Sequence, residues 1–175
     1  GGLKSTQLGA LTTTQLGALS TTQARGLTAT QISGLITANI DAIDLTKLLT
    51  SQVSGLSTTA IGHLTTTQVG TLLATQVAAL ATEQIGALTS TELQAFTTTQ
   101  ANALTATQLG SLTTTVLNKL STTQFTALST TQVQGLTTGQ INALTTANLD
   151  ALTITKLSTP QVNGLNAFNP FTCGV

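Results

Sequence analysis

The chain has few of the side chains that carry most protein chemistry. Its 175 residues include one histidine, one cysteine, and no tryptophan, tyrosine or methionine. Charged residues make up 6%, whereas a typical soluble domain has about a quarter. Five basic and five acidic residues cancel, so the chain lacks the basic surface that nucleic acid or an anionic membrane surface requires. No apolar run approaches the roughly 18 residues of a membrane span, so we predict no membrane insertion.

The scarce reactive residues are not arranged for catalysis or metal binding. His63 has no other histidine and no cysteine near it in sequence, so we interpret it as a tolerated substitution. No Cys/His cluster has metal-ligand spacing, and no glycine-rich phosphate loop occurs. We therefore predict no catalytic residue, no metal, no cofactor and no small-molecule substrate, so the protein is not an enzyme.

An eight-residue repeat runs through most of the chain. Its positions a to h read Leu-Thr-Thr-Thr-Gln-(Leu/Val/Ile)-x-(Ala/Gly), and nineteen full units occur. Position e is glutamine in fourteen of them, and position f is a large apolar residue in seventeen. Position h is alanine or glycine in fifteen. Such short-period self-similarity indicates a repeat architecture.

Two units are shorter than the others and recur in matching surroundings. Residues 43–47 and 152–156 each replace an octad with five residues, and the segments around them match at an offset of 109. We therefore predict an octapeptide-repeat solenoid over residues 1–165 with short units at 43–47 and 152–156. Residues 166–175 form a separate C-terminal tail. Because the chain begins inside the repeat without a signal peptide, we expect a processed protein or a piece of a longer one.

The octad favours a short helix over a strand. Thr-x-x-Gln is a capping box, and the apolar residues at a and f occupy the two positions of a hydrophobic staple. Leu11 to Leu16 contains both devices. In a strand, positions a and f would point to opposite faces, because they are five residues apart. The prediction is an all-α solenoid of very short capped helices, one per octad, with a β-solenoid as the alternative.

Each predicted helix is too short to be stable alone. Isolated helices below about 12 residues are marginal in water, so each octad must bury its apolar side against neighbouring octads. We expect two octads to make one coil, with one helix up and the next down.

Contact with other molecules is predicted at charged and aromatic interruptions of the repeat. Five of the ten charged residues lie at or beside the two short units, where they form either a local salt bridge or cap, or a contact between chains. Phe168 and Phe171 in the tail either close the end of the core or dock on another subunit. Cys173 is free or pairs with another chain, since it has no internal partner. The predicted contact positions are Asp41, Asp44, Lys47, Asp150, Lys156, Phe168, Phe171 and Cys173.

From Leu3 to Gly164 the octad resembles Thr/Gln-rich octapeptide-repeat regions of large secreted or surface-anchored bacterial proteins of adhesin or filament type. That resemblance implies an extracellular or cell-surface location. The segment from Leu128 to Val133 also resembles the first-helix start of the repeats in transcription-activator-like effectors. Those repeats are about four times longer, however, and their base-reading loops have no counterpart here.

The sequence leads to a structural function. We expect a structural repeat protein that forms a rod, a stalk or an extracellular filament by end-to-end stacking, because head-to-tail contacts that do not close give filaments. The alternative is a binding surface made by the threonine array, either ice-binding or part of an adhesin.

Overall fold

The computed structural model describes residues 4–165, and the regular secondary structure of this part of the chain is entirely helical. It contains nineteen α-helices of four to six residues, one in each full octad, two three-residue 3₁₀ segments and no strand. This confirms the all-α solenoid of short capped helices, and the β-solenoid alternative is wrong. The α-helices are α1 Ser5–Gly9, α2 Thr13–Gly17, α3 Thr21–Arg25, α4 Ala29–Ser33, α5 Thr37–Asp41, α6 Thr50–Ser54, α7 Thr58–Ile61, α8 Thr66–Thr71, α9 Ala74–Ala78, α10 Thr82–Ala87, α11 Ser90–Gln94, α12 Thr98–Ala103, α13 Ala106–Ser111, α14 Thr114–Leu117, α15 Thr122–Ala127, α16 Thr130–Gln134, α17 Thr138–Asn142, α18 Thr146–Ala151 and α19 Thr159–Asn163.

The octad specifies where each helix begins and ends. Position b is the N-cap and has an extended backbone, as at Thr12 with φ −70° and ψ 158°. The Thr12 hydroxyl accepts a hydrogen bond from the Gln15 amide, while Gln15 Oε1 accepts from the Thr12 amide at 2.9 Å. The helix ends without a left-handed residue, since no described residue has a positive φ. The residue at the next position a has an extended backbone, as at Leu72 with ψ 137°, and the chain changes direction there before the next helix.

Positions a and f point into a shared interior. The f side chain is fully buried in most octads, as at Val53, Ile85 and Leu93, each with 0% exposure. The side chain at position a is almost fully buried, as at Leu56 and Leu88. Burying one such side chain stabilises the fold by roughly 1.5–3 kcal/mol. Packing between octads therefore supplies the stability that a single helical turn lacks.

Within each of the two parts of the chain, helices pack against the third helical element that follows them, counting the 3₁₀ segments. In the first part of the chain, α2 packs on α5 and α7 on α10, and in the second, α12 packs on α15 and α15 on α18. The expectation of two octads per coil is therefore wrong, because three helical elements complete one. The extended residues at a and b turn the chain through a corner without reversing it.

The chain divides into two compact units, Gly1–Ala95 and Phe96–Val175. The described part of each is a helical solenoid built in the same way. The 3₁₀ segment Leu45–Lys47 lies in the first unit, and Ile154–Lys156 lies in the second. The tail over residues 166–175 lies outside the described residues, so its separate status stays a prediction.

Small residues near the ends of the helices allow successive coils to approach closely. A Cβ built on Gly135 would lie 2.7 Å from the carbonyl oxygen of Ala106, which is too close for a real contact. A Cβ on Gly110 would in turn clash with the backbone of Gly135. Glycine is therefore required at these positions by close packing of backbones and not by an unusual φ.

Candidate functional site

The glutamine at position e connects its own helix to the preceding coil. Gln76 shows the arrangement with a side chain that is 0% exposed. Its Oε1 accepts a hydrogen bond from the Leu73 amide at 2.8 Å, which caps α9. Its Nε2 donates to the carbonyl oxygens of Leu45 at 2.8 Å and Leu48 at 3.1 Å, in the preceding coil. One buried amide thus satisfies three backbone groups, which meets the requirement that buried polar groups be hydrogen-bonded.

This arrangement recurs in both units, and we call the set the glutamine ladder. In each member, Oε1 caps the helix to which the residue belongs, and Nε2 donates to one or more backbone carbonyls of the coil before it. The members are Gln52, Gln68, Gln76 and Gln84 in the first unit and Gln124, Gln132, Gln140 and Gln161 in the second. The usual acceptors are at position f and at the following position a.

The two short units preserve the ladder across the interruption. Gln84 reaches Val53 and Leu56, which lie 31 and 28 residues earlier. Where a short unit intervenes, both separations in sequence fall by three residues. Gln68, for example, reaches Ile40 and Ile43, which lie 28 and 25 residues earlier. Five residues with a 3₁₀ turn therefore take the place of eight with an α-helical turn, and the bonding pattern stays in phase.

A lysine replaces the glutamine in each short unit. Lys47 Nζ donates to the carbonyl oxygen of Leu19 at 2.8 Å, 28 residues earlier. Lys156 Nζ donates to the carbonyl oxygens of Leu128 at 2.7 Å and Thr126 at 2.9 Å. The long lysine stem compensates for the shorter helical turn, and the ammonium performs the task of the amide Nε2.

We predict that Lys47→Met destabilises the first unit by about 1 kcal/mol, because it keeps the apolar stem but removes the donor to Leu19. The side chain is partly exposed, which limits the loss. Urea denaturation measures the effect. Lys4→Met is the matched control, since Lys4 is exposed and its ammonium has no partner among the described residues. Equal changes in the two variants would exclude a bridging role for Lys47.

The acidic residues predicted as contact positions do not meet at one site. Asp44 is the N-cap of the first 3₁₀ segment, where it accepts from the Thr46 amide and hydroxyl at 3.0 and 2.6 Å. It also lies 3.8 Å from Lys47 Nζ, so a local cap and a weak ion pair coexist there. Asp41 and Asp150 are exposed, and their carboxylates make no hydrogen bond or ion pair to residues 4–165. Contacts between chains at these positions stay predictions.

Ser33 and Asn118 are among the described side chains that form bonds the octad pattern alone does not indicate. They serve helices whose N-cap amide has no glutamine of its own octad to bind it. The Ser57 amide donates to Ser33 Oγ at 2.9 Å, and the Thr145 amide donates to Asn118 Oδ1 at 2.9 Å. Asn118 also donates from Nδ2 to the Ala143 carbonyl. In the sequence, the signal for these two bonds is that positions 60 and 148 carry no glutamine to bind the N-cap amide.

Several sequence predictions concern residues away from the ladder. His63 is exposed. Phe168, Phe171 and Cys173 lie outside the described residues. Within residues 4–165, no group of three or more His, Cys, Asp or Glu side chains is placed to hold a metal ion. In the same range, every helix falls short of the length and apolar character that crossing a membrane requires.

Comparison with known proteins supports the repeat architecture. A family model described as the ALTTAQ repeat matches residues 77–114 and again residues 114–146. These matches cover less than half of the chain, so they show what the central octads are similar to. No curated protein and no solved structure matches the chain. Together with the recurring helices, the family match identifies a repeat protein.

Proposed function

We propose that this repeat protein is a structural element that forms a rod, stalk or filament by end-to-end stacking, without a catalytic role. The observation that carries the proposal is the glutamine ladder. Its acceptors are main-chain carbonyls, as where Gln140 binds Leu109 and Leu112. Every coil of octads presents such carbonyls whatever its side chains, so the contact that joins two coils is available to any coil that is added.

The energetics of the ladder favour repeated addition. Each intramolecular hydrogen bond contributes about 1 kcal/mol net, and the coil interface adds apolar burial from positions a and f. In a repeat array, stability is approximately a sum of such nearest-neighbour terms. Because the net charge is zero, copies do not repel one another as highly charged chains would.

We place the protein outside the cell or on the cell surface, with an adhesin or filament role in a bacterium. The support is the resemblance of the Thr/Gln-rich octads to repeat regions of large secreted and surface-anchored bacterial proteins. Immunogold labelling of intact cells tests the location, and labelling only after the cells are opened would refute it.

Electron microscopy tests the structural function directly. We expect negatively stained particles of the purified chain to lengthen as its concentration rises, with a constant width. Short particles of one length at every concentration would contradict assembly by stacking.

A second candidate function is binding through exposed threonine rows. Residues 65–67 are three exposed threonines at the start of α8, which packs on α11 with exposed Thr89 and Thr91. Such an uncharged hydroxyl array would suit an ice or glycan surface. The hypothesis that such threonines form ladders on the strands of a β-solenoid is wrong, since residues 4–165 contain no strand. Thermal hysteresis tests the ice-binding form, and freezing without hysteresis would exclude it.

A further inference from the structure

At Glu92, the atoms that would form a rung of the glutamine ladder are all oxygen acceptors. In the ladder, Nε2 at position e donates to carbonyls at positions f and a of the preceding coil, as Gln84 does to Leu56 at 2.7 Å. Glu92 holds position e of α11, which packs on α8. The equivalent carbonyls, 31 and 28 residues earlier, belong to Ile61 and Leu64. An ionised carboxylate only accepts hydrogen bonds, so it cannot bind these carbonyls as an amide does.

The oxygens at this point lack the partners that buried polar groups need. Leu64 is 2% exposed, and its carbonyl oxygen accepts no hydrogen bond from residues 4–165. Ile61 is 0% exposed, and its carbonyl accepts only from the Leu64 amide, at 3.1 Å, which leaves a second lone pair. Glu92 caps α11 through Oε2, and its Oε1 meets no donor and no cationic side chain in the described part of the chain. Because buried polar groups nearly always have a partner, these oxygens call for a ligand.

Other rungs of the ladder show which kind of group fits beside such carbonyls. At Gln76 it is an amide N–H group, which donates to two carbonyl oxygens at 2.8 and 3.1 Å. At Lys156 it is a full positive charge, since Nζ lies 2.7 Å from the carbonyl oxygen of Leu128 and 2.9 Å from that of Thr126. The side chain at Glu92 brings a negative charge instead. The positive group must therefore come from outside the chain.

We propose that Glu92 Oε1 and the carbonyl oxygens of Ile61 and Leu64 bind a hard metal cation, with Ca²⁺ as the best fit. We call these three ligands the Glu92 cation site. Carboxylate and carbonyl oxygens without nitrogen or sulfur select hard cations. Ca²⁺ accepts irregular sets of such ligands together with water, whereas Mg²⁺ demands a nearly ideal octahedron. Glu92 is only half-buried, so water can reach the remaining positions.

The sequence prediction of no metal considered clusters of side chains, whereas two of these three ligands belong to the main chain. One carboxylate and two carbonyls make a weak site, with a Kd on the order of 1 mM. The bound cation would connect α11 to the octad of α7. That octad needs a connection, because Ala60 at its position e has no amide to reach the coil before it. Binding to the folded chain alone then stabilises it by linkage.

Urea denaturation of the full chain measures this linkage, with EDTA, with CaCl₂, and with NaCl at equal ionic strength. Glu92→Gln replaces the cation ligand by the amide that most octads carry, so this variant should fold without Ca²⁺. Glu83→Gln is the matched control, since it removes the same charge from an exposed position of α10.

We expect Ca²⁺ at about ten times its Kd to raise the ratio of folded to unfolded chain roughly tenfold. This gain should occur in the wild type and in Glu83→Gln, and it should be absent in Glu92→Gln. A wild type that gains no more from CaCl₂ than from NaCl would overturn the proposal, and water would then be the partner of these oxygens. An equal gain in Glu92→Gln would also overturn it, because the cation would bind elsewhere.

Nuclear magnetic resonance locates the cation independently of stability. Carbon-13 at isoleucine carbonyls combined with nitrogen-15 at glycine amides selects the two Ile-Gly pairs of the chain, Ile61-Gly62 and Ile85-Gly86. Titration with Ca²⁺ should shift the Ile61 carbonyl signal of the wild type and leave that of Ile85 in place. No shift at Ile61, or the same shift in Glu92→Gln, would contradict coordination by this carbonyl.

Discussion

Gln76→Glu should destabilise the first unit by on the order of 3 kcal/mol or more, because it buries a charge that faces other oxygens. The side chain is 0% exposed. The substitution preserves its size and the acceptor that caps α9, but it removes the Nε2 donor. A carboxylate oxygen then faces the carbonyls of Leu45 and Leu48, which Nε2 approaches at 2.8 and 3.1 Å. Urea denaturation at neutral pH measures the loss, which should be smaller in acid, where a protonated carboxyl can donate.

Gln15→Glu is the matched control for this substitution. Gln15 also caps its helix through Oε1, at 2.9 Å from the Thr12 amide, but its side chain is exposed. We expect a change within about 0.5 kcal/mol, as for most surface substitutions. If the two variants lose the same stability, capping alone explains the glutamine, and the bonds to the preceding coil contribute nothing.

Phe125→Ala should cost the second unit about 3–5 kcal/mol, the usual range for removing a buried aromatic ring. Phe125 is 0% exposed and occupies position f of α15, which packs on α12 and α18. Its truncation leaves a cavity between coils that short capped helices cannot easily close. Phe125→Leu introduces one of the three aliphatic residues that the octad usually has there, so we expect a loss below about 1.5 kcal/mol in the same denaturation experiment.

A small residue occupies the equivalent position of α12, on which α15 packs. Ala101 occupies position f of α12, where most octads have a larger side chain, and it is fully buried. We expect Ala101→Leu to be costly beside Phe125 and better tolerated together with Phe125→Leu, with a coupling energy of about 1 kcal/mol. Additive effects in this double-mutant cycle would mean that the two positions do not share space.

Local chemistry made much of the fold predictable from sequence. The capping box, the staple and the face shared by a and f all depend on residues within one octad. The helix in each full unit follows from those contacts, as Thr12, Gln15 and Leu16 show. The pattern also located the two short units, since their five residues interrupt a regular period.

The coil itself was not predictable, because its geometry depends on corners between helices. The number of helices per turn is set by backbone angles at a and b, which the repeat does not encode separately. The second bond of the glutamine was missed for the same reason, since its acceptors lie 25 to 31 residues earlier. For Lys47 and Lys156 the sequence indicates a local salt bridge or cap, or a contact between chains. It does not indicate the bond that each makes to the carbonyl of an a-position leucine 28 residues earlier.

Glu92 is one of the positions at which the ladder is interrupted, because position e carries no glutamine there. Its carboxylate caps α11 through the Thr89 amide at 2.7 Å. The carbonyls that a glutamine would reach belong to Ile61 and Leu64, which lie 31 and 28 residues earlier. Among residues 4–165, neither carbonyl receives a side-chain donor.

Filling that gap is the most direct test of the bond between coils. Glu92→Gln keeps the cap and adds an Nε2 donor opposite two carbonyls that receive no side-chain donor, so the free energy of unfolding should rise by about 1 kcal/mol. The measurement is urea denaturation of the variant beside the wild type, under the same conditions. A stability that is unchanged or lower would contradict the claim that position e joins each coil to the one before it.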